Sequence, residues 1–182
     1  MNRRRFIWQK AETQSGLPVG YTAVDYLQSS STQWKNTEIT PSQNTKVIIK
    51  FMIYDWGYSS LIGSRTNSDS NDQFTTYIDS SSNGRFLFRM DGMSSAITYY
   101  GIKSRTVYTA ELSGTKMEFM LEDGTISFTS EVTISDFSST VPMLLFKSKN
   151  VSGSGAYAKV YSCKIYHQGD FDMALVLSLI HI

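Results

Sequence analysis

The sequence predicts an all-β protein, a two-sheet antiparallel sandwich of jelly-roll type. Three observations lead there. Successive segments alternate apolar and polar side chains with period two. Corners containing glycine separate those segments. No segment holds a helical period for more than about two turns. A chain of 182 residues with about ten to thirteen short strands cannot bury its apolar faces in one flat sheet, so the strands must stack as two.

The elements follow in chain order. Arg3, Arg4 and Arg5 precede a short apolar run, Phe6-Ile7-Trp8, and Gln14-Ser15-Gly16 closes this stretch. That run is too short for a secretory h-region, so residues 1–16 are expected as a flexible basic arm with no signal peptide. Leu17-Pro18 opens the domain. From Thr45 to Asp55, Val47, Ile49, Phe51 and Ile53 share one face, and Lys46, Ile48, Lys50, Met52 and Tyr54 the other. This is a long strand with one wholly apolar face. Residues 73–79 set Phe74, Thr76 and Ile78 against Thr75, Tyr77 and Asp79. Residues 85–90 set Phe86, Phe88 and Met90 against Arg85, Leu87 and Arg89. Residues 106–112 and 116–121 alternate again. In the run 158–166, strict alternation groups Val160, Ser162, Lys164 and Tyr166 opposite Tyr161, Cys163 and Ile165. Asn83-Gly84, Asp91-Gly92, Ser113-Gly114 and Asp123-Gly124 are expected to take positive φ at hairpin corners. The strongest hairpin is Glu122-Asp123-Gly124-Thr125, joining Met117–Leu121 to Ile126–Phe128. Polar loops fill 64–72, 79–84 and 147–156.

Composition excludes several functions. A net charge of +1 provides no field for nucleic acid, so none is expected as a partner. No run reaches the roughly 18 apolar residues of a membrane span, so no insertion is expected. One cysteine and two histidines argue against a disulfide scaffold and a zinc site. Cys163 reads as a small core residue. Glu118 and Glu122 share a strand face about 13 Å apart, wider than the roughly 5–9.5 Å of glycosidase carboxyl pairs. His167 has no acid or nucleophile near it in sequence, and no phosphate loop or hydrolase motif is present. No catalytic residue is therefore expected.

Two candidate sites remain. Asp69, Asn71 and Asp72 offer oxygen donors to a hard cation such as Ca²⁺, but the loop lacks EF-hand spacing and its closing Glu, so no cofactor is expected. Sugars are held by flat aromatic faces with a few planar polar groups. Trp56 and Tyr58 end the long strand, beside Asp55, and Tyr99 and Tyr100 end another. Arg65, Asn67 and Asn71 could supply hydrogen bonds. The competing reading of each ring is core or edge packing.

The stretch Leu17-Pro-Val-Gly-Tyr-Thr22, followed by Val24-Asp-Tyr-Leu-Gln-Ser-Ser30 and Thr32-Gln33, resembles the opening of laminin-G-like, concanavalin A-like domains of gut bacteria and their phages. Pro41–Thr45, Leu61–Arg65 and Ala158-Lys-Val-Tyr-Ser-Cys-Lys-Ile-Tyr166 match in turn, so the likeness covers residues 17–176. The resemblance implies a two-sheet jelly roll and a non-catalytic, lectin-like module for a glycan or cell-surface polysaccharide. It also implies a setting in a phage tail or virion surface. A purely structural domain contacting other virion proteins is the alternative. A glycoside hydrolase is disfavoured, because the related glucanases carry a Glu-x-Asp-x-x-Glu strand and this sequence has none. The family's last strand continues as Leu-Val-Arg-Asp-Phe. Here Leu175-Val176 appears and the likeness stops. Residues 177–182, Leu-Ser-Leu-Ile-His-Ile, look like the translation of a sequencing-library adapter. They are expected to be non-native read-through or a truncated final strand. The absent signal peptide favours a virion surface over a bacterial one.

Overall fold

The computed structural model describes residues 21–22, 25–55, 57, 59–66, 73–80, 84–148, 155–167, 170–175 and 180–181, with side chains described for 25–55, 57, 59–66, 73–80, 84–148 and 155–166. All regular structure among these residues is β. The strands run β1 (Tyr21–Thr22), β2 (Leu27–Ser30), β3 (Lys35–Asn36), β4 (Lys46–Ile53), β5 (Ile62–Arg65), β6 (Gln73–Asp79), β7 (Arg85–Met90), β8 (Ile97–Tyr100), β9 (Val107–Ser113), β10 (Lys116–Leu121), β11 (Ile126–Glu131), β12 (Leu144–Leu145), β13 (Tyr157–His167), β14 (Asp170–Leu175) and β15 (Ile180–His181).

Two sheets form the sandwich. The first has seven strands in the order β11-β10-β9-β4-β13-β14, with β2 on the same side of β13 as β14. The second has six, β3-β12-β5-β6-β7-β8. A separate two-stranded ladder pairs Tyr21 with His181 and Thr22 with Ile180. Every ladder between strands is antiparallel. The predicted two-sheet antiparallel jelly roll is therefore the observed architecture.

The core is built from alternation. In β4, Val47, Ile49, Phe51 and Ile53 are buried while their neighbours are half-exposed. Phe51 and Phe119 of the first sheet meet Phe86 of the second, at ring-centroid distances of 5.9 and 4.9 Å. Offset and edge-on aromatic contacts of this kind add to plain area burial. One inward polar residue ties β6 to the start of β5 inside the second sheet. The Thr76 hydroxyl accepts from Leu61 N and Ile62 N, both at 3.1 Å, and donates to Ile62 O at 2.9 Å.

Strand β13 departs from the strict alternation expected of it. Val160 pairs with Phe51 but Ser162 pairs with Lys50, so Tyr161 is an extra residue. This bulge changes the parity midway along the strand. Ala158 and Val160 are buried before it, and Cys163 and Ile165 after it. Val160 therefore does not share a face with Ser162, Lys164 and Tyr166. The turn glycines also divide. Gly84, Gly92 and Gly124 take positive φ, as expected of corners. Gly114 does not; a Cβ there would sit 2.4 Å from Ile134 Cδ1 and 2.9 Å from Gln43 O. Close approach, rather than backbone conformation, selects that glycine.

Candidate functional site

The two outer faces of the sandwich differ in chemistry. On the seven-stranded sheet, four lysines are matched with rings and carboxylates. The Lys159 ammonium lies 3.8 Å from the Tyr26 ring centroid, and Lys46 lies 4.8 Å from that of Tyr166. Hydrogen bonding to the Tyr54 hydroxyl raises the Lys159 pKa further. Lys50 pairs with Glu122 at 3.0 Å, and Lys116 with Glu118 at 2.9 Å. Glu118 and Glu122 are thus tied up in separate ion pairs. Register also sets Glu111 directly opposite Glu118, a pairing invisible in the sequence because it depends on how β9 meets β10.

The six-stranded sheet presents a different surface. Its outward residues form rows across the strands. Tyr100 pairs with Arg85, and Arg85 with Asp79. Thr98, Leu87 and Tyr77 make the next row, and Arg89, Thr75 and Gly63 the one after. Arg65 stands beyond, opposite Gln73. The strands β5 to β8 place three arginines (Arg65, Arg85 and Arg89) and one acid, Asp79, on this face, and just past β7 the Asp91 carboxylate accepts from Gln73 N at 2.8 Å.

The first row is the most organised. Arg85 donates to Asp79 Oδ2 through Nε at 3.0 Å, and again through Nη2. This hydrogen bond is the first cause of the raised Arg85 pKa, and the nearby Tyr100 adds to it. Tyr100 itself is 56% exposed. An open ring thus stands beside an oriented, planar ion pair. That combination suits a sugar, whose C–H face stacks on aromatics and whose hydroxyls bridge fixed polar groups.

The residues singled out in the sequence are distributed unevenly. Tyr99 and Tyr100 cannot form one platform, because adjacent residues in a strand face opposite sides. Tyr100 points out. Tyr99 points in, its ring stacked on Phe128 at 4.8 Å and tilted against Phe119 at 5.1 Å. Asp55 is exposed beyond the end of β4. Trp56, Tyr58, Asn67, Asp69, Asn71 and Asp72 lie outside the described residues. The flanks of the Trp56–Tyr58 segment are placed, however. Ser59 exchanges backbone hydrogen bonds with Ile78 at 3.1 and 2.8 Å, next to Asp79. Arg105, five residues after Tyr100, donates to Ile53 O at 2.7 Å. Asp55, Asp79, Arg85 and Tyr100 therefore belong to one end of the sandwich. Asp79, Arg85, Arg89, Thr75 and Tyr77 were not singled out from sequence. Their signal was the wholly polar set Thr75, Tyr77 and Asp79 on one face of a strand, but only register shows what it faces.

No protein-family model matches the chain, and no curated protein matches it significantly. Solved structures do. Domains LG4-5 of the mouse laminin α1 chain superpose with a TM-score of 0.52 at 11% identity, over 88% of this chain; the match spans 45% of that fragment's length. The Caenorhabditis elegans galectin LEC-6 matches over 84% of this chain and 100% of its own, at 11% identity and a TM-score of 0.40. The Bacillus licheniformis β-glucanase matches over 92% and 94%, at 13% identity and 0.41. The architecture of this chain is the concanavalin A-like jelly roll.

Proposed function

We propose that this domain is a non-catalytic glycan-binding module, and that it binds through the outer face of the six-stranded sheet. One observation carries this reading: the exposed Tyr100 ring stands in register with the Arg85–Asp79 pair. Asp55 lies at the same end, and Trp56 and Tyr58 follow it in sequence, so they are proposed to extend the aromatic surface. The glycan belongs to a cell-surface polysaccharide. Absence of catalysis is part of the proposal, supported by the separate engagement of Glu118 and Glu122 with lysines.

The test is retention on a glycan array, wild type against Tyr100→Ala and against Trp56→Ala with Tyr58→Ala. Lost retention at an unchanged melting temperature is the expected result. A fall in melting temperature with retention intact would identify these rings as packing residues and favour a structural domain that contacts only protein. Reducing-sugar release, abolished by Glu118→Gln or Glu122→Gln, would overturn the non-catalytic reading. The virion setting rests on the sequence resemblance. Capsid or tail genes beside the locus would support it; polysaccharide-uptake genes would replace it with a bacterial envelope.

A further inference from the structure

We propose that the same face holds an oxyanion subsite formed by Arg89, Arg65 and Thr75, so that the glycan recognised is an acidic one bearing carboxylate or sulfate groups. This rests on the glycan-binding reading above and narrows its ligand class.

The Thr75 side chain lies on the outer face of β6, between Arg89 on β7 and Gly63 on β5. It is completely buried, and its hydroxyl has no hydrogen-bond partner. Buried hydroxyls are almost always satisfied, because losing water without a replacement bond is costly. The adjacent Thr76 obeys the rule, with several bonds to Ser60, Leu61 and Ile62. Thr75 departs from it on the outer side of the sheet, beneath the exposed Arg89 and away from the apolar core. A hydroxyl held ready there is a donor in want of an acceptor.

The surroundings specify the acceptor's charge. Arg89 sits directly opposite Thr75, with Cβ atoms about 4.5–5.5 Å apart in such a pair. It is exposed, and among the described residues nothing neutralises it. Arg65 approaches from the other side, its Nη1 bonded to the Tyr77 hydroxyl. That bond turns the side chain from the Gln73 row, where its backbone sits, toward Tyr77, with Thr75 between the two on β6. Ser148 packs on Gly63, where an added Cβ would lie only 2.8 Å from the Ser148 Cβ, and closes the third side. Two planar guanidinium groups flanking a hydroxyl match the geometry of a carboxylate or sulfate, which accepts paired N–H bonds. The contrast within the molecule supports this. On the other sheet Lys46, Lys50, Lys116 and Lys159 each meet a ring or carboxylate, Lys164 being the exposed exception, and Arg85 is matched by Asp79. Among the described residues of β5 to β8, Arg89 has no ion-pair partner, on a face already suited to sugars.

The experiment uses the full chain on an array of neutral, uronate-containing and sulfated glycans, followed by calorimetry with tetragalacturonate and with a sulfated dextran oligosaccharide. Their neutral counterparts are the fully methyl-esterified tetragalacturonate and the unsulfated dextran. Acidic probes should bind more tightly than neutral ones, with affinity falling as salt rises. Arg89→Gln should weaken acidic binding about 10- to 100-fold, the worth of a charge-assisted hydrogen bond, with no change in melting temperature. Which of the two acidic probes binds distinguishes carboxylate from sulfate. Equal binding of neutral and acidic glycans, both abolished by Tyr100→Ala, would overturn the oxyanion subsite and leave the glycan reading standing. Acidic binding indifferent to Arg89→Gln but lost in Lys159→Gln would move the site to the other sheet and overturn the subsite. No retention on any glycan would overturn both.

Discussion

Replacing Thr75 with valine exchanges a hydroxyl for a methyl group of similar shape, at a position with no exposed surface. The Thr75 hydroxyl has no partner, so the folded state carries an uncompensated desolvation cost of about 1–3 kcal/mol. Valine removes that cost, keeps the β-branched geometry and suits a strand at least as well. Allowing for the larger methyl in a packed row, the expected gain is about 1–2 kcal/mol. For a chain of this size each kcal/mol moves the melting temperature by about 2–4 °C, so Thr75→Val should melt about 2–8 °C higher. Its neighbour is the control. Thr76→Val removes the acceptor for Leu61 N and Ile62 N and should cost about 2–4 kcal/mol. Urea unfolding and scanning calorimetry of both variants read these opposite signs directly. Acidic-glycan affinity should fall in Thr75→Val while stability rises, as expected where a residue is kept for binding rather than for folding. A lower melting temperature for Thr75→Val would mean that its hydroxyl is satisfied in solution, and the reasoning from an orphaned donor would fail.

Three further outcomes are expected. Asp79→Ala leaves Arg85 without its carboxylate; with the Arg85 side chain 29% exposed, screening limits the loss to about 1 kcal/mol, and raised salt should shrink it. Gly63→Ala forces a Cβ to within 2.8 Å of Ser148 and 3.0 Å of Phe74 O, so thermal unfolding should begin about 2–8 °C lower, at a cost of about 1–2 kcal/mol; an unchanged transition would show that residue 148 yields freely. Burial pushes the Cys163 thiol up to about 12, and burial also raises Tyr108 and Tyr161. These folded-state values lie above the unfolded ones, so their contribution is fully present below about pH 9 and is lost as pH climbs through the folded values. Urea midpoints measured from pH 7 to 11 should fall at the alkaline end, and Cys163 should resist thiol reagents until the chain unfolds; rapid labelling of the folded protein at pH 8 would contradict its burial.

Much of the fold was legible in local pattern. The β4 faces could be read directly, because the inner one contacts only core and therefore admits only apolar residues. The Glu122–Thr125 corner was legible because Gly124 takes a φ of 86°, which few other residues tolerate. The extra residue Tyr161 was not legible. A bulge is defined by the register against β4, and nothing within the run 158–166 marks it. The Tyr99-Tyr100 pair illustrates the same limit: two adjacent aromatics look like one platform, yet the register of β8 on β7 sends one into the core and leaves the other in solvent.

The amino-acid sequence by itself determined the class of structure, the inner faces of β4, β6 and β7 and most of the corners. These depend on interactions within a few residues and on the avoidance of buried charge. Only the tertiary structure decided which outward residues become neighbours. Gly63, Thr75 and Arg89 form one row, as do Asp79, Arg85 and Tyr100. Those rows arise from strand order and register, which are set by packing the whole core at once. A binding face on a sheet is read across strands, whereas a sequence runs along them.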